Sequence, residues 1–98
     1  MSDAVITREE GPVKGRYVAR VAGIDEVAEL TFTKINPHLI SADHTGVPDA
    51  LRGRGLGLAL AMRLVEDARA ARVKIIPLCT YLNAERRKHP EWADVFQG

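Results

Sequence analysis

Leu56, Leu60, Leu64 and Ala68 recur at four-residue spacing, with Ala61 and Val65 beside them and Arg63, Glu66, Asp67 and Arg69 on the other side. This stripe predicts an amphipathic helix from about Gly55 to Ala71. Arg63 with Asp67, and Glu66 with Arg69, have the spacing of weak surface ion pairs. Ahead of the helix the polarity alternates residue by residue. Between Lys14 and Ala22 the residues Tyr17, Ala19 and Val21 share a face; between Val27 and Ile35, Ala28, Leu30, Phe32 and Lys34 do so. Gly23-Ile24-Asp25-Glu26 separates the two runs, which predicts an antiparallel hairpin. Ala4 to Arg8 reads as a short first strand closed by the turn Glu10-Gly11-Pro12. After Asn36-Pro37, His38 to Val47 is another extended stretch.

Val73 to Cys79 is a strand reached by a crossover helix, so it runs parallel to the stretch at 39–47 and beside it. Pro77 lacks the N–H that a central ladder needs and belongs on an edge or where pairing stops. If the two parallel strands diverge there, a slot opens that suits a thin ligand. Thr80 is placed to cap a helix from Tyr81 to about Lys88, ended by His89-Pro90. Trp92, Val95 and Phe96 have helical spacing and predict a short amphipathic tail that folds back on the core. The architecture expected is α+β: a mostly antiparallel sheet of about five strands with a splayed parallel pair, one long helix and a C-terminal helix.

Candidate chemistry concentrates between the meander and the long helix, in Arg52-Gly53-Arg54-Gly55-Leu56-Gly57-Leu58. Glycines let amides approach a ligand, and a helix N-terminus carries unpaired N–H donors and partial positive charge. Together they make a cradle for phosphate oxygens. The ATP/GTP loop is excluded because no Gly-Lys-Ser/Thr occurs. The dinucleotide fingerprint fails because Leu60 stands where its third glycine belongs. The pattern left is Arg-x-x-Gly-x-Gly, met by Arg52, Gly55 and Gly57; the alternative is a glycine-rich turn without a ligand.

Composition narrows the rest. Ninety-eight residues make one small domain, residues 1–98. With 14 basic and 13 acidic residues the net charge is +1, so no overall field draws the chain to nucleic acid or membranes. Cys79 is the only cysteine, which rules out an internal disulfide, and His38, His44 and His89 lack a metal-ligand spacing, so no metal site is expected. No apolar run approaches the ~20 residues of a membrane span, and the polar start lacks a signal-peptide pattern, so a cytoplasmic protein is expected.

Four segments occur in order: Asp43-His44-Thr45-Gly46-Val47-Pro48, the loop Leu51 to Gly57, Pro77-Leu78-Cys79-Thr80-Tyr81, and His89-Pro90-Glu91-Trp92. In this order they resemble the small single-domain GCN5-related (GNAT) N-acetyltransferases of the YidJ/GTLF3B-like type, over about residues 14 to 96. The resemblance implies a reduced acetyltransferase fold without the first two helices and last two strands of larger relatives. It implies acetyl-coenzyme A as cosubstrate and an unidentified amine as acceptor, with a monomer or weak dimer expected. The diphosphate would lie on the amides of roughly Arg54 to Leu58, and the pantetheine arm between the strands ending at Val47 and Cys79. Arg52, Gly53, Arg54, Gly55, Leu56, Gly57, Leu58, Val47, Cys79 and Asn83 are the candidate cofactor-binding residues. A coenzyme A-binding module with little catalysis is the alternative.

Cys79 and His44 are the candidate catalytic residues. Cys79 closes a strand just before a helix, where a helix dipole can activate a thiol. The resemblance places it near the thioester, as acetyl acceptor, proton donor or neighbour; the plainer reading is a small buried hydrophobe. His44 has the chemistry of a general base, and equally that of a strand-face histidine. The family commonly has Glu where this chain has Gly46, so any role of that carboxylate does not carry over. Thr45 reads as sheet reinforcement, and Val47 offers backbone groups. Asn83 either bonds the pantetheine or only occupies the first turn of its helix. Arg86, Arg87 and Lys88 either complement that helix's C-terminus or reach the coenzyme's 3′-phosphate.

Overall fold

The computed structural model describes residues 4–97. Residues 1–3 and 98 lie outside them, so the reading of the polar start rests on sequence alone. Five strands form one sheet in chain order: β1 (Ala4–Glu10), β2 (Lys14–Val21), β3 (Ala28–Asn36), β4 (Leu39–Gly46) and β5 (Lys74–Pro77). The first four make the antiparallel meander that the alternation predicts, and β5 runs parallel to β4. The crossover between them is α1 (Leu56–Ala71), and α2 (Thr80–Arg86) follows β5.

The hydrophobic stripe decides how these parts stack. Leu56, Leu60, Ala61, Leu64, Val65 and Ala68 of α1 are buried in one cluster with Tyr17, Leu30, Phe32 and Ile40 of the sheet. Each large side chain taken out of water contributes about 1.5–3 kcal/mol, far more than any exposed ion pair on the helix. α1 ends at Arg72, in the left-handed region at φ 58°, where the Arg72 and Val73 N–H groups both reach the Ala68 carbonyl. No helix among the described residues is long and apolar enough to cross a membrane.

One polar group of the core couples α1 to the sheet. Tyr17 is fully buried, and its hydroxyl donates to Asp67 Oδ2 at 2.8 Å and accepts from Arg8 at 3.0 Å. The Arg63–Asp67 pair forms at 3.3 Å as part of this network. The predicted Glu66–Arg69 pair does not form. Arg69 crosses instead to Asp94, at 2.9 and 2.7 Å, and to the Glu91 carbonyl. Two parallel contacts to a carboxylate outcompete a single one along the helix.

Burial, and then the bond to Asp67, push the Tyr17 hydroxyl well above its ordinary value of 10.0. The folded state therefore keeps this proton where the unfolded chain loses it. The associated stability is complete below pH 10 and is lost as the pH rises beyond it. Tyr17→Phe is expected to cost about 1.5 kcal/mol in urea denaturation at pH 7. It also flattens the alkaline fall in stability, leaving the smaller part due to Tyr81, which burial likewise shifts upward.

The chain departs from the sequence reading after β5. Cys79, not Thr80, stands at the N-cap of α2, and no side chain caps the helix. Beyond a short 3-10 turn at Pro90–Trp92 the tail makes one further turn over residues 93–95 and then a β-bridge at Phe96, rather than a helix. Phe96 pairs with Ile75, with Ile75 N–H donating to the Val95 carbonyl at 2.7 Å and Gln97 N–H to the Ile75 carbonyl at 2.8 Å. Trp92, Val95 and Phe96 are buried as expected. The spacing 92, 95, 96 suits either conformation, and the unpaired outer edge of β5 settles it by offering backbone partners. Ile75 N–H faces that edge and Pro77 is two residues on, so the missing donor of Pro77 falls on the outer side as well.

Candidate functional site

β4 and β5 stay paired from Leu39 opposite Lys74 to Ala42 opposite Pro77. One more bond joins them, from Cys79 N–H to the Ala42 carbonyl at 2.8 Å. Then they part. On the β4 side an extra residue is responsible: Phe32 opposes Ala42 and Thr31 opposes His44, leaving Asp43 as a bulge. Bulges bend their strand and sharpen its twist. On the β5 side Leu78 N–H turns back to the Ile76 carbonyl at 3.1 Å, lifting the chain off the sheet at Pro77. The divergence expected from Pro77 thus lies between Asp43 to Val47 on one side and the start of α2 on the other. Across it the Cys79 thiol donates to Thr45 Oγ1 at 3.2 Å.

The glycine loop begins where β4 ends. Asp49–Leu51 forms a 3-10 turn anchored by the fully buried Leu51. Gly53 and Gly55 follow at φ 81° and 72°, values an L side chain rarely adopts, and a Cβ on either would meet nothing within 4 Å. The constraint is purely conformational: the chain needs left-handed backbone to swing into α1. Gly55 is the N-cap of α1 and supplies no side chain, while the first helical bond runs from Ala59 N–H to the Gly55 carbonyl at 3.0 Å. Within the described residues, the amides of Leu56, Gly57 and Leu58 donate to no protein acceptor. Three unpaired donors at the head of a 16-residue helix have the charge and direction that suit an anion. Arg54, exposed at the head of α1, forms no ion pair among the described residues, whereas Arg52 is tied to Asp49 at 3.1 Å.

The comparisons with known proteins agree with this layout. Residues 16–95 match the model of a family described as GCN5-related N-acetyl-transferase. The chain belongs to the GCN5-related N-acetyltransferase family. Among curated proteins, it is 27% identical over 75 residues to Protein NATD1 of Gallus gallus, covering 76% of this chain and 68% of that one. Protein NATD1 of Homo sapiens is also 27% identical over 75 residues, with 66% of its length covered. Among solved structures, the NMR structure of a GCN5-like protein from Staphylococcus aureus superposes with a TM-score of 0.73 at 33% identity, over 100% of this chain and 92% of that one.

The sequence reading missed two side chains that pack at this place. Thr45, read as sheet reinforcement, is the partner of the Cys79 thiol. Tyr81 lies against the start of α1: a Cβ on Gly57 would fall 3.1 Å from its ring and hydroxyl. Gly57 therefore serves to admit the Tyr81 ring as well as to bare an amide. Burial raises the Tyr81 pKa, with Glu85 and then Cys79 adding to it, so the phenol remains a neutral donor beside the cradle. Its place two residues after Cys79, in the first turn of α2, was the available signal.

The remaining candidates divide. Leu56 is buried in the core and offers only its backbone, while Leu58 and Val47 are half-buried against the core. Asn83 accepts from Arg86 Nε at 2.9 Å, which leaves its amide NH₂ free to donate. Arg86 also lies over the Phe96 ring and Lys88 beside Glu85, so the basic run on α2 is largely engaged with its own segment. His44 is exposed on the opposite side of β4 from Thr45, its ring packed over Gly46, and forms no hydrogen bond with Cys79. A separate cavity of about 270 Å³ lies at the far end of α1. Its charged groups, Arg8, Glu10, Lys34 and Asp67, are paired with one another and offer a ligand no unmatched partner.

Proposed function

We propose that the chain binds acetyl-coenzyme A and transfers its acetyl group to an amine. The observation that carries this reading is the set of unpartnered amides of Leu56, Gly57 and Leu58, opening beside the slot between β4 and β5. A diphosphate suits those donors in charge and spacing, and the slot leads from them to Cys79. Acetyl-coenzyme A held there supplies an acetyl group activated as a thioester. Arg54 neutralises phosphate charge at the rim, and the Tyr81 hydroxyl adds a neutral donor. The backbone of Asp43 to Val47, freed from β5, lines the arm and offers an N–H near Val47 to the developing oxyanion. Cys79, holding its proton toward Thr45, returns a proton to the departing sulfur.

A coenzyme A-binding module without turnover is the second reading. It is favoured by the outer face of the sheet, on which neither helix packs, so that the depression of about 580 Å³ lined there by Glu9, Lys14, Arg16, Thr31 and Asp43 lies open to solvent. Titration calorimetry followed by an amine-panel assay separates the readings. Coenzyme A is expected to bind in the micromolar range, and pantetheine, which lacks the diphosphate, about 30-fold or more weakly. Binding with no amine turned over supports the module. Equal affinity for pantetheine removes the cradle from the argument, and no binding retires both readings.

A further inference from the structure

We propose that the acceptor is a monoamine with an alkyl or aryl substituent, its ammonium held by Asp43 and its hydrocarbon by Leu78 and Ile76. The proposal rests on the acetyl-transfer reading above and adds the acceptor's chemistry to it.

The direction of approach follows from the packing. α1 and Leu82 of α2 share one buried cluster with the inner face of the sheet, so that side of the slot is filled. The carrier's arm comes from the cradle at the head of α1. An amine therefore reaches the slot from the outer face, where β3 and β4 carry half-buried Thr31 and Thr33 and buried Ser41 without a covering helix.

At that place the bulge residue stands out. Thr33 Oγ1 donates to Asp43 Oδ2 at 2.6 Å, and Ser41 Oγ donates to Asp43 Oδ1 at 2.8 Å. Two neutral hydroxyls fix the carboxylate, and it forms no ion pair with Lys14 or Arg16, which line the same outer depression, Arg16 being tied to Glu9 and Glu29. Among the described residues the carboxylates outside any ion pair are Asp25, Glu26, Asp43 and Glu66. Asp25, Glu26 and Glu66 are exposed; Asp43 is half-buried. A fixed, half-buried carboxylate without a cation is matched by a ligand that brings one.

The apolar half of the site lies across the last bond between the two strands. Asp43 follows Ala42 and Leu78 precedes Cys79, so the two flank the Cys79–Ala42 hydrogen bond. Leu78 is 64% exposed, the most exposed of the large hydrophobic residues described. Half-buried Ile76 sits directly opposite Ser41 in the register. An ammonium with a hydrocarbon next to it meets both features. A polyamine or a sugar amine meets only the first.

In the transfer the ammonium at Asp43 first loses a proton to solvent. The neutral nitrogen forms a C–N bond to the acetyl carbonyl carbon as the C–S bond breaks. The sulfur takes a proton from Cys79, and the second proton shed by the nitrogen restores that thiol, so an amide, a thiol and one released proton account for all atoms.

The test uses the full chain, acetyl-coenzyme A and a panel of phenylethylamine, hexylamine, ethanolamine, spermidine and glucosamine. Phenylethylamine and hexylamine are expected to exceed ethanolamine in kcat/KM by about tenfold or more. Asp43→Asn, nearly isosteric, is expected to raise the amine KM about tenfold while coenzyme A affinity by calorimetry and the melting temperature hold. Leu78→Ser should narrow the ratio of phenylethylamine to ethanolamine. Preference for spermidine or glucosamine, or an unchanged amine KM in Asp43→Asn, overturns the proposal while coenzyme A binding keeps the parent reading alive. Failure to bind coenzyme A at all sinks both.

Discussion

Gly55→Val is expected to weaken coenzyme A binding by about 100-fold or more. Gly55 sits at φ 72° as the N-cap of α1, with open space around it, so no clash hides in the substitution. The whole effect is conformational. A left-handed residue with a Cβ costs about 1–2 kcal/mol, and a β-branched one is a worse fit. Valine relieves that strain by turning the peptide toward φ below zero, which re-aims the amides of Leu56 and Gly57. A hydrogen bond from an amide to a charged acceptor is worth about 1.5–3 kcal/mol, so two misdirected amides account for the loss. Calorimetry reads the affinity, and urea denaturation separates it from a fold penalty of about 1–2 kcal/mol. Gly55→Val binding within threefold of wild type would mean that these amides do not grip the ligand.

The sequence made the scaffold legible because two periodicities were clean. Alternation in Tyr17, Ala19 and Val21, and four-residue spacing in Leu56, Leu60 and Leu64, each match one burial pattern. A single crossover then forces β5 to lie parallel to β4. Pro77 showed where the pair parts, since a residue without an N–H marks the end of a ladder. The bulge at Asp43 was not legible: it is a property of register against β3, and no residue type announces it. The tail misled for a related reason. Trp92, Val95 and Phe96 fit a helix in spacing, but the open edge of β5 exists only once the sheet is assembled. Thr45 and Tyr81 were passed over because their roles depend on contacts 34 residues away in one case and with the head of α1 in the other. The family motif supplied Cys79; only the fold supplies its partner.

That partner shapes the second large effect. Cys79→Ala is expected to lower kcat about 100-fold with coenzyme A affinity little changed, the magnitude typical of a lost general acid. In the proposed mechanism the thiol, buried at the N-cap of α2 and donating to Thr45 Oγ1 at 3.2 Å, serves as the proton donor rather than as the nucleophile. A departing sulfur at that point needs such a proton, and alanine leaves water or the Tyr81 phenol to give it. Cys79→Ser keeps a hydroxyl for Thr45 and nearly the same volume, yet is a far weaker acid. It separates acidity from packing, and a rate at least tenfold below wild type is expected from it as well. Mass spectrometry of the wild-type protein during turnover is expected to find no acetyl on Cys79. An adduct that forms and decays at the turnover rate would replace proton return with a covalent relay. Full activity in Cys79→Ala would remove the thiol from the chemistry altogether, leaving Tyr81 as the acid nearest the cradle.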